Sequence, residues 1–185
     1  MSSILKVSEI QDPTNGNTAL TINSSGEVHS PGSVVQCQVH TQTMGNSTSG
    51  ADLAAVTVSS SGLSNAYEVN TVNITPKFSD SKILMQWAGQ FYIDGSAGGG
   101  ADIFFTKDNT NLITNGGNRN AVGFVFTGGD SDTDIYGMWS SQFSFTAGQT
   151  TQMTLKCEIA AYNATKVVKF QHDGTTTLTV WEIAQ

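Results

Sequence analysis

Charge is scarce in this chain. Asp, Glu, Lys and Arg make up only 12% of the 185 residues, with 8 basic side chains against 15 acidic ones and a formal net charge of −7. The cations are dispersed, so no stripe exists that would track a phosphate backbone, and nucleic acid is not expected as a partner. Long apolar runs are missing as well. No stretch approaches the roughly 20 apolar residues of a membrane span, and Met1-Ser2-Ser3-Ile4-Leu5-Lys6 has neither the basic start nor the apolar run of a secretory signal. Membrane insertion and signal-directed export are therefore not expected, and synthesis in a cytoplasm is.

Catalytic and metal-binding patterns are equally sparse. His29, His40 and His172 share no ligand spacing, and no Cys or His pair sits at the intervals of a zinc site. No Gly-x-Ser-x-Gly elbow occurs; Gly95-Ser96-Ala97-Gly98-Gly99 sets a serine among glycines, but no helix follows it. The carboxylates Glu68, Asp94, Asp102, Asp108 and Glu158 offer too many pairings to single out a glycosidase pair. In Gly128-Gly129-Asp130-Ser131-Asp132-Thr133-Asp134, the carboxylates of Asp130, Asp132 and Asp134 alternate as at the start of a calcium loop. Counted from Asp130, however, Ile135 stands where that loop needs Gly and Ser141 where it needs Glu. An exposed acidic loop is the better reading, and neither enzyme activity nor a cofactor is expected.

Cysteine is limited to Cys37 and Cys157. Each is flanked at alternate positions by apolar residues, Val35 and Val39 around the first, Leu155 and Ile159 around the second. Both read as buried thiols, either inert in a core or joined across two strands, with the lack of an export signal favouring the first.

What fills the chain is Ser, Thr, Asn and Gln with 19 Gly, a composition of strands and tight turns. Alternation begins at Val35, Cys37 and Val39 against Gln36, Gln38 and His40, giving a half-buried strand with a polar outer face. It returns from Tyr67 to Thr75, stops at Pro76, and resumes as Ile83, Met85, Trp87, Phe91 and Ile93. Asp94-Gly95 ends that strand, and a hairpin partner is expected at residues 102–107. Further strands are expected near 121–127, 135–145, 152–161, 166–172 and 175–184, with Asp173-Gly174 as a hairpin turn. The fold class is thus all-β, a jelly-roll-like two-sheet β-sandwich of about eight to ten strands, with an immunoglobulin-like sandwich as the other candidate.

Ahead of that domain, residues 1–32 form a separate unit, with the sandwich spanning 33–185. Leu5, Val7 and Ile10, then Leu20 and Ile22, make two small apolar bursts split by Asp12-Pro13-Thr14-Asn15-Gly16-Asn17. A segment so short buries too little surface to offset about 1 to 2 kcal/mol of backbone entropy per ordered residue. It reads as an extended attachment arm whose apolar residues need another chain.

Three stretches carry a resemblance: Leu5-Lys6-Val7-Ser8-Glu9-Ile10-Gln11 with Ala19-Leu20-Thr21-Ile22-Asn23-Ser24-Ser25-Gly26, then Ile74 to Leu84, then Leu178-Thr179-Val180-Trp181-Glu182-Ile183-Ala184-Gln185. Together they resemble small fibre or appendage-type structural proteins of marine tailed bacteriophages. The resemblance is loose over 44–65 and 125–145. It implies a homotrimeric jelly-roll-like module on the virion, made in the bacterial host, held to capsid or tail proteins by its arm and possessing either a host-surface adhesion role or a purely capsid-decorating one. A free carbohydrate-binding or hydrolytic domain is the reading from another class. Independently, the last strand is apolar on both faces, with Trp181 and Ile183 on one and Leu178 and Val180 on the other, so one face is a candidate trimer contact. Tyr92, Tyr136, Trp139 and Tyr162 are the candidates for stacking on a host glycan.

Overall fold

The computed structural model describes residues 9–11, 18–22, 26, 28–43, 58–59, 62–63, 66–93, 100–113, 123–126, 135–161, 168–170 and 175–185. The arm holds three short strands, β1 (Glu9–Gln11), β2 (Thr18–Ile22) and β3 (Val28–His29). They pair as an antiparallel meander, with Ile10 opposite Leu20 and Thr21 opposite His29. The arm is therefore not wholly extended, although Ile10 and Val28 stay half exposed, Glu9 and Gln11 are exposed, and Leu20, Thr21 and Ile22 are only partly buried. At the junction Ser30-Pro31-Gly32-Ser33 closes a turn through Ser33 N donating to Ser30 O at 3.0 Å, with Gly32 at φ 80°. Pro then Gly at the central positions is the type II pattern, and the positive φ requires the glycine. Gly32 N donates to Ala184 O at 2.8 Å and Ala184 N to Ser33 O at 2.9 Å, so the arm leaves the domain beside the C-terminus.

The remaining strands follow in order as β4 (Val34–Thr43), β5 (Val58–Ser59), β6 (Gly62–Leu63), β7 (Tyr67–Ile74), β8 (Lys82–Ile93), β9 (Gly100–Lys107), β10 (Thr110–Asn111), β11 (Gly123–Phe126), β12 (Ile135–Thr146), β13 (Met153–Ala161), β14 (Val168–Phe170) and β15 (Thr175–Ile183). One sheet runs β7-β13-β9 and continues with β10 and β11 side by side along the free edge of β9; the other runs β4-β15-β8-β12, with β14 also on β8. All pairings in both sheets are antiparallel. With the short β10 and β14 set aside, the chain passes between the sheets at almost every connection, and the order β4-β15-β8-β12 over β7-β13-β9-β11 is that of a jelly roll.

Alternation built these strands where the expectation was strongest. Ile83, Met85 and Trp87 of β8, with Leu178 and Val180 of β15, meet Ile103 and Phe105 of β9, Leu155, Cys157 and Ile159 of β13 and Val72 and Ile74 of β7 in one buried cluster. Each such side chain, fully buried, contributes about 1.5 to 3 kcal/mol of transfer free energy. Asn70 is buried beside this layer, and its Oδ1 accepts from Trp87 Nε1 at 2.9 Å, so the indole is buried without losing its partner.

Two expected hairpins differ. β8 and β9 lie in different sheets, so they are not partners in a hairpin. Asp173-Gly174 lies outside the described residues, but its flanking strands do not face each other: β14 and β15 both run antiparallel to β8, opposite Phe91–Ile93 and Lys82–Ala88 respectively. A hairpin turn that does form in the sandwich is Asp108-Asn109, both at positive φ (50° and 64°), which brings Thr110 opposite Lys107.

Candidate interaction surface

The strand β4 inverts its expected orientation. Its Gln36 and His40 lie opposite Glu182 and Leu178, on the inner side, while Cys37 and Val39 lie opposite Trp181 and Thr179 on the outer side. Cys37 is exposed and Val39 is 58% exposed, as is Val34. The inversion has a local cause. At the rim of the sandwich β4 meets the polar backbone of β7 and the turn after it. Gln36 Nε2 donates to Thr75 O at 2.7 Å, Thr71 N donates to His40 Nδ1 at 3.1 Å, and Asn70 Nδ2 donates to His40 O at 3.3 Å. The polar side of β4 is thus used to close the edge, and its apolar side faces out.

Glu182 secures the same end. Its carboxylate is fully buried, and Oε1 accepts from the backbone N–H groups of Lys77 and Phe78 at 2.8 and 3.0 Å while Oε2 accepts from Gln36 Nε2 at 2.6 Å. Three donors aimed at one carboxylate are what makes its burial tolerable. It ties the turn after Pro76 to the last strand, joining two of the three stretches that carry the resemblance.

Register extends the outer face across the sheet in rows: Ser144, Leu84, Trp181 and Cys37; Gln142, Gln86, Thr179 and Val39; Ser140, Ala88, Thr177 and Thr41. A flanking row holds Thr146, Lys82, Ile183 and Val34, and Met138 lies opposite Gln90, 69% exposed. Among the described residues from Lys82 to Gln90 and opposite them, Lys82 is the one charged side chain on this face, and its Nζ donates to Thr146 Oγ1 at 3.2 Å. The outer face of the other sheet is different in kind. There Lys156 pairs with Glu68 at 2.7 Å, Thr106 Oγ1 donates to Glu158 Oε2 at 2.7 Å, and Thr154 Oγ1 donates to Asn73 Oδ1 at 2.9 Å. The Lys156 hydrogen bond holds the Glu68 carboxyl below its ordinary value, and Lys156 is raised by the same contact.

The expected site residues divide accordingly. Trp181 and Ile183 are half-buried on the outer face, but Leu178 and Val180 are fully buried in the core and are not available to a neighbour. Cys157 is fully buried, and burial raises its thiol well above the ordinary range; Cys37, expected buried, is exposed on the opposite side of its sheet, and both thiols are free. Trp139 packs against the core opposite Gly89, so it is not an exposed stacking platform. Tyr92 and Tyr136 are cross-strand partners in backbone register, with side chains outside the described residues. Tyr162, Leu5, Val7 and the acidic run Asp130, Asp132 and Asp134 also lie outside them. Of the arm's apolar residues, Ile10 is exposed and Leu20 and Ile22 are half-buried. Among the described residues no cluster of three or more His, Cys, Asp or Glu side chains has the arrangement to hold a metal ion.

No protein-family model and no curated protein matches this chain. Among solved structures it is similar to dimeric latent PorU from Porphyromonas gingivalis, at 11% identity and a TM-score of 0.39, over 79% of this chain and 13% of that one.

Proposed function

We propose that this chain is a non-enzymatic structural component of a bacteriophage particle, a homotrimer whose jelly-roll domain projects from the virion and whose N-terminal arm holds it there. The observation that supports the assembly part of this reading most directly is the uncharged, partly apolar outer face of the β4-β15-β8-β12 sheet. A monomeric domain gains nothing from keeping Val34, Val39 and Met138 exposed on a sheet where polar residues would serve. The half-exposed apolar residues of the meander support a docking role for the arm in the same way. The virion setting rests on the resemblance of the opening, middle and closing stretches to phage appendage proteins. Capsid decoration and a host-adhesive fibre are both compatible with this reading, and the packing of Trp139 removes one of the residues that favoured glycan contact.

The test is incorporation. Antibody labelling of purified particles is expected to place the full chain on the virion surface, and a chain lacking residues 1–28 is expected to fold but stay off the particle. Incorporation of the truncated chain at full occupancy would overturn the role given to the arm.

A further inference from the structure

The outer face just described is a broad, nearly chargeless patch on an acidic molecule. We propose that it is where copies of this chain bind one another, the β4 and β15 side of one copy seating against the β8 and β12 side of the same sheet in a neighbour, a head-to-tail contact that can close a ring of three. This deepens the homotrimer reading, on which it rests for the number of copies, by naming the surface.

Three observations select a second copy as the occupant. The first is charge: each chain carries a net −7, yet Lys82 is the one charged group among the described residues of the patch. Two such faces meet without bringing carboxylates together, whereas an oppositely charged partner would be drawn to the acidic remainder of the molecule. Depletion of charge around exposed apolar residues is also the composition of an interface core. The second is area. Four strands at a spacing of about 4.8 Å and about nine residues at about 3.3 Å each give a footprint of roughly 570 Å², so three copies that each give this face to the assembly bury on the order of 1,700 Å² in all, within the range of specific assemblies. The third is the inverted strand. The sandwich gives the polar side of β4 to its own rim and leaves Val34, Cys37 and Val39 outside beside Trp181 and Leu84, an arrangement that costs a monomer exposed apolar surface and that a neighbour covers.

Cys37 makes the test direct, because it lies within the patch while Cys157 is fully buried and serves as an internal control for folding. Sedimentation of the full chain is expected to give the mass of three chains, with iodoacetamide labelling of Cys37 slowed at least tenfold relative to the dissociated chain and Cys157 unlabelled. Val39→Glu, at an exposed position outside the core, is expected to yield single chains of unchanged circular dichroism with Cys37 freely labelled. Asn73→Glu, exposed on the other sheet, is expected to leave mass and labelling unchanged. Two-chain mass abolished by Val39→Glu would keep this surface and overturn the trimer. Association that survives Val39→Glu with Cys37 freely labelled would overturn the surface and leave the trimer standing. Single chains with open Cys37 at every concentration would overturn both. If Val39→Glu does not fold, labelling of Cys37 in the unaltered chain decides by itself.

Discussion

Single side chains set the tolerances of this sandwich. Gly89 lies opposite Trp139, and a Cβ placed on it would sit 2.5 Å from Thr176 Cγ2 and 2.5 Å from the Trp87 ring at Cζ2. Both neighbours are fully buried, so neither can retreat without opening the core. Gly89→Ala is therefore expected to destabilise the fold by about 1 to 3 kcal/mol in urea denaturation, the range for overpacking. Glu182 carries a different burden. Removing its carboxylate takes this acceptor from the Lys77 and Phe78 backbone amides, while Gln36 Nε2 keeps its bond to Thr75 O. Glu182→Ala is expected to cost roughly 2 to 4 kcal/mol, measured the same way, since each stranded polar group costs about 1 to 3 kcal/mol. Glu182→Gln keeps one oxygen and should fall between the two.

At the level of strands, polar pairs hold edges and rows rather than the core. On the outer side of the β7-β13 pair, Glu68 lies opposite Glu158, a like-charge pairing relieved by Lys156 on the first carboxylate and Thr106 on the second. Because the folded Glu68 carboxyl titrates below its ordinary value of 4.5, its contribution is complete above that value and disappears as pH falls through the lowered one. Lys156 is shifted up, so its share is present below its ordinary value of 10.5 and is lost only in strong alkali. The pair is solvent-screened, and Glu68→Gln is expected to cost less than about 1 kcal/mol at neutral pH. Its signature is a flattened stability profile below pH 4.5, read by denaturation at several pH values. Strands such as β8, β9 and β13 were legible in the sequence because their alternation faces a core on one side. The same rule misassigned β4: Val35, Cys37 and Val39 look like a buried face until the rim of β7 is present to claim Gln36 and His40. Glu182 stands in the closing stretch, but its task is not legible there, because its donors at Lys77 and Phe78 lie more than a hundred residues away. Asp108-Asn109 carries no glycine to mark it as a turn, although Asp and Asn tolerate the positive φ that both adopt here.

For the whole molecule, the decisive asymmetry lies between the two outer faces. Along β7 and β13 one carries Glu68, Lys156 and Glu158, while Phe104 and Thr106 of β9 on the same side are buried; the other carries Leu84, Trp181, Cys37 and Val39 with almost no charge among its described residues. The arm departs from the Ala184 end of that second sheet, where Gly32 and Ser33 are bonded to the last strand. Copies joined through these faces would therefore bring their arms out close together, which favours one shared attachment point over three separate ones. Glu9, Ile10, Gln11 and Val28 of the meander are exposed and Leu20, Thr21 and Ile22 only partly buried, so stability should reside in the sandwich and its neighbours. A chain lacking residues 1–28 is expected to keep an unfolding midpoint within a few degrees of the full chain at equal protein concentration. Because association stabilises by mass action, both chains should share a midpoint that rises with concentration. A truncated chain that melted much lower, or whose midpoint no longer depended on concentration, would mean that the meander helps build the assembly as well as attach it.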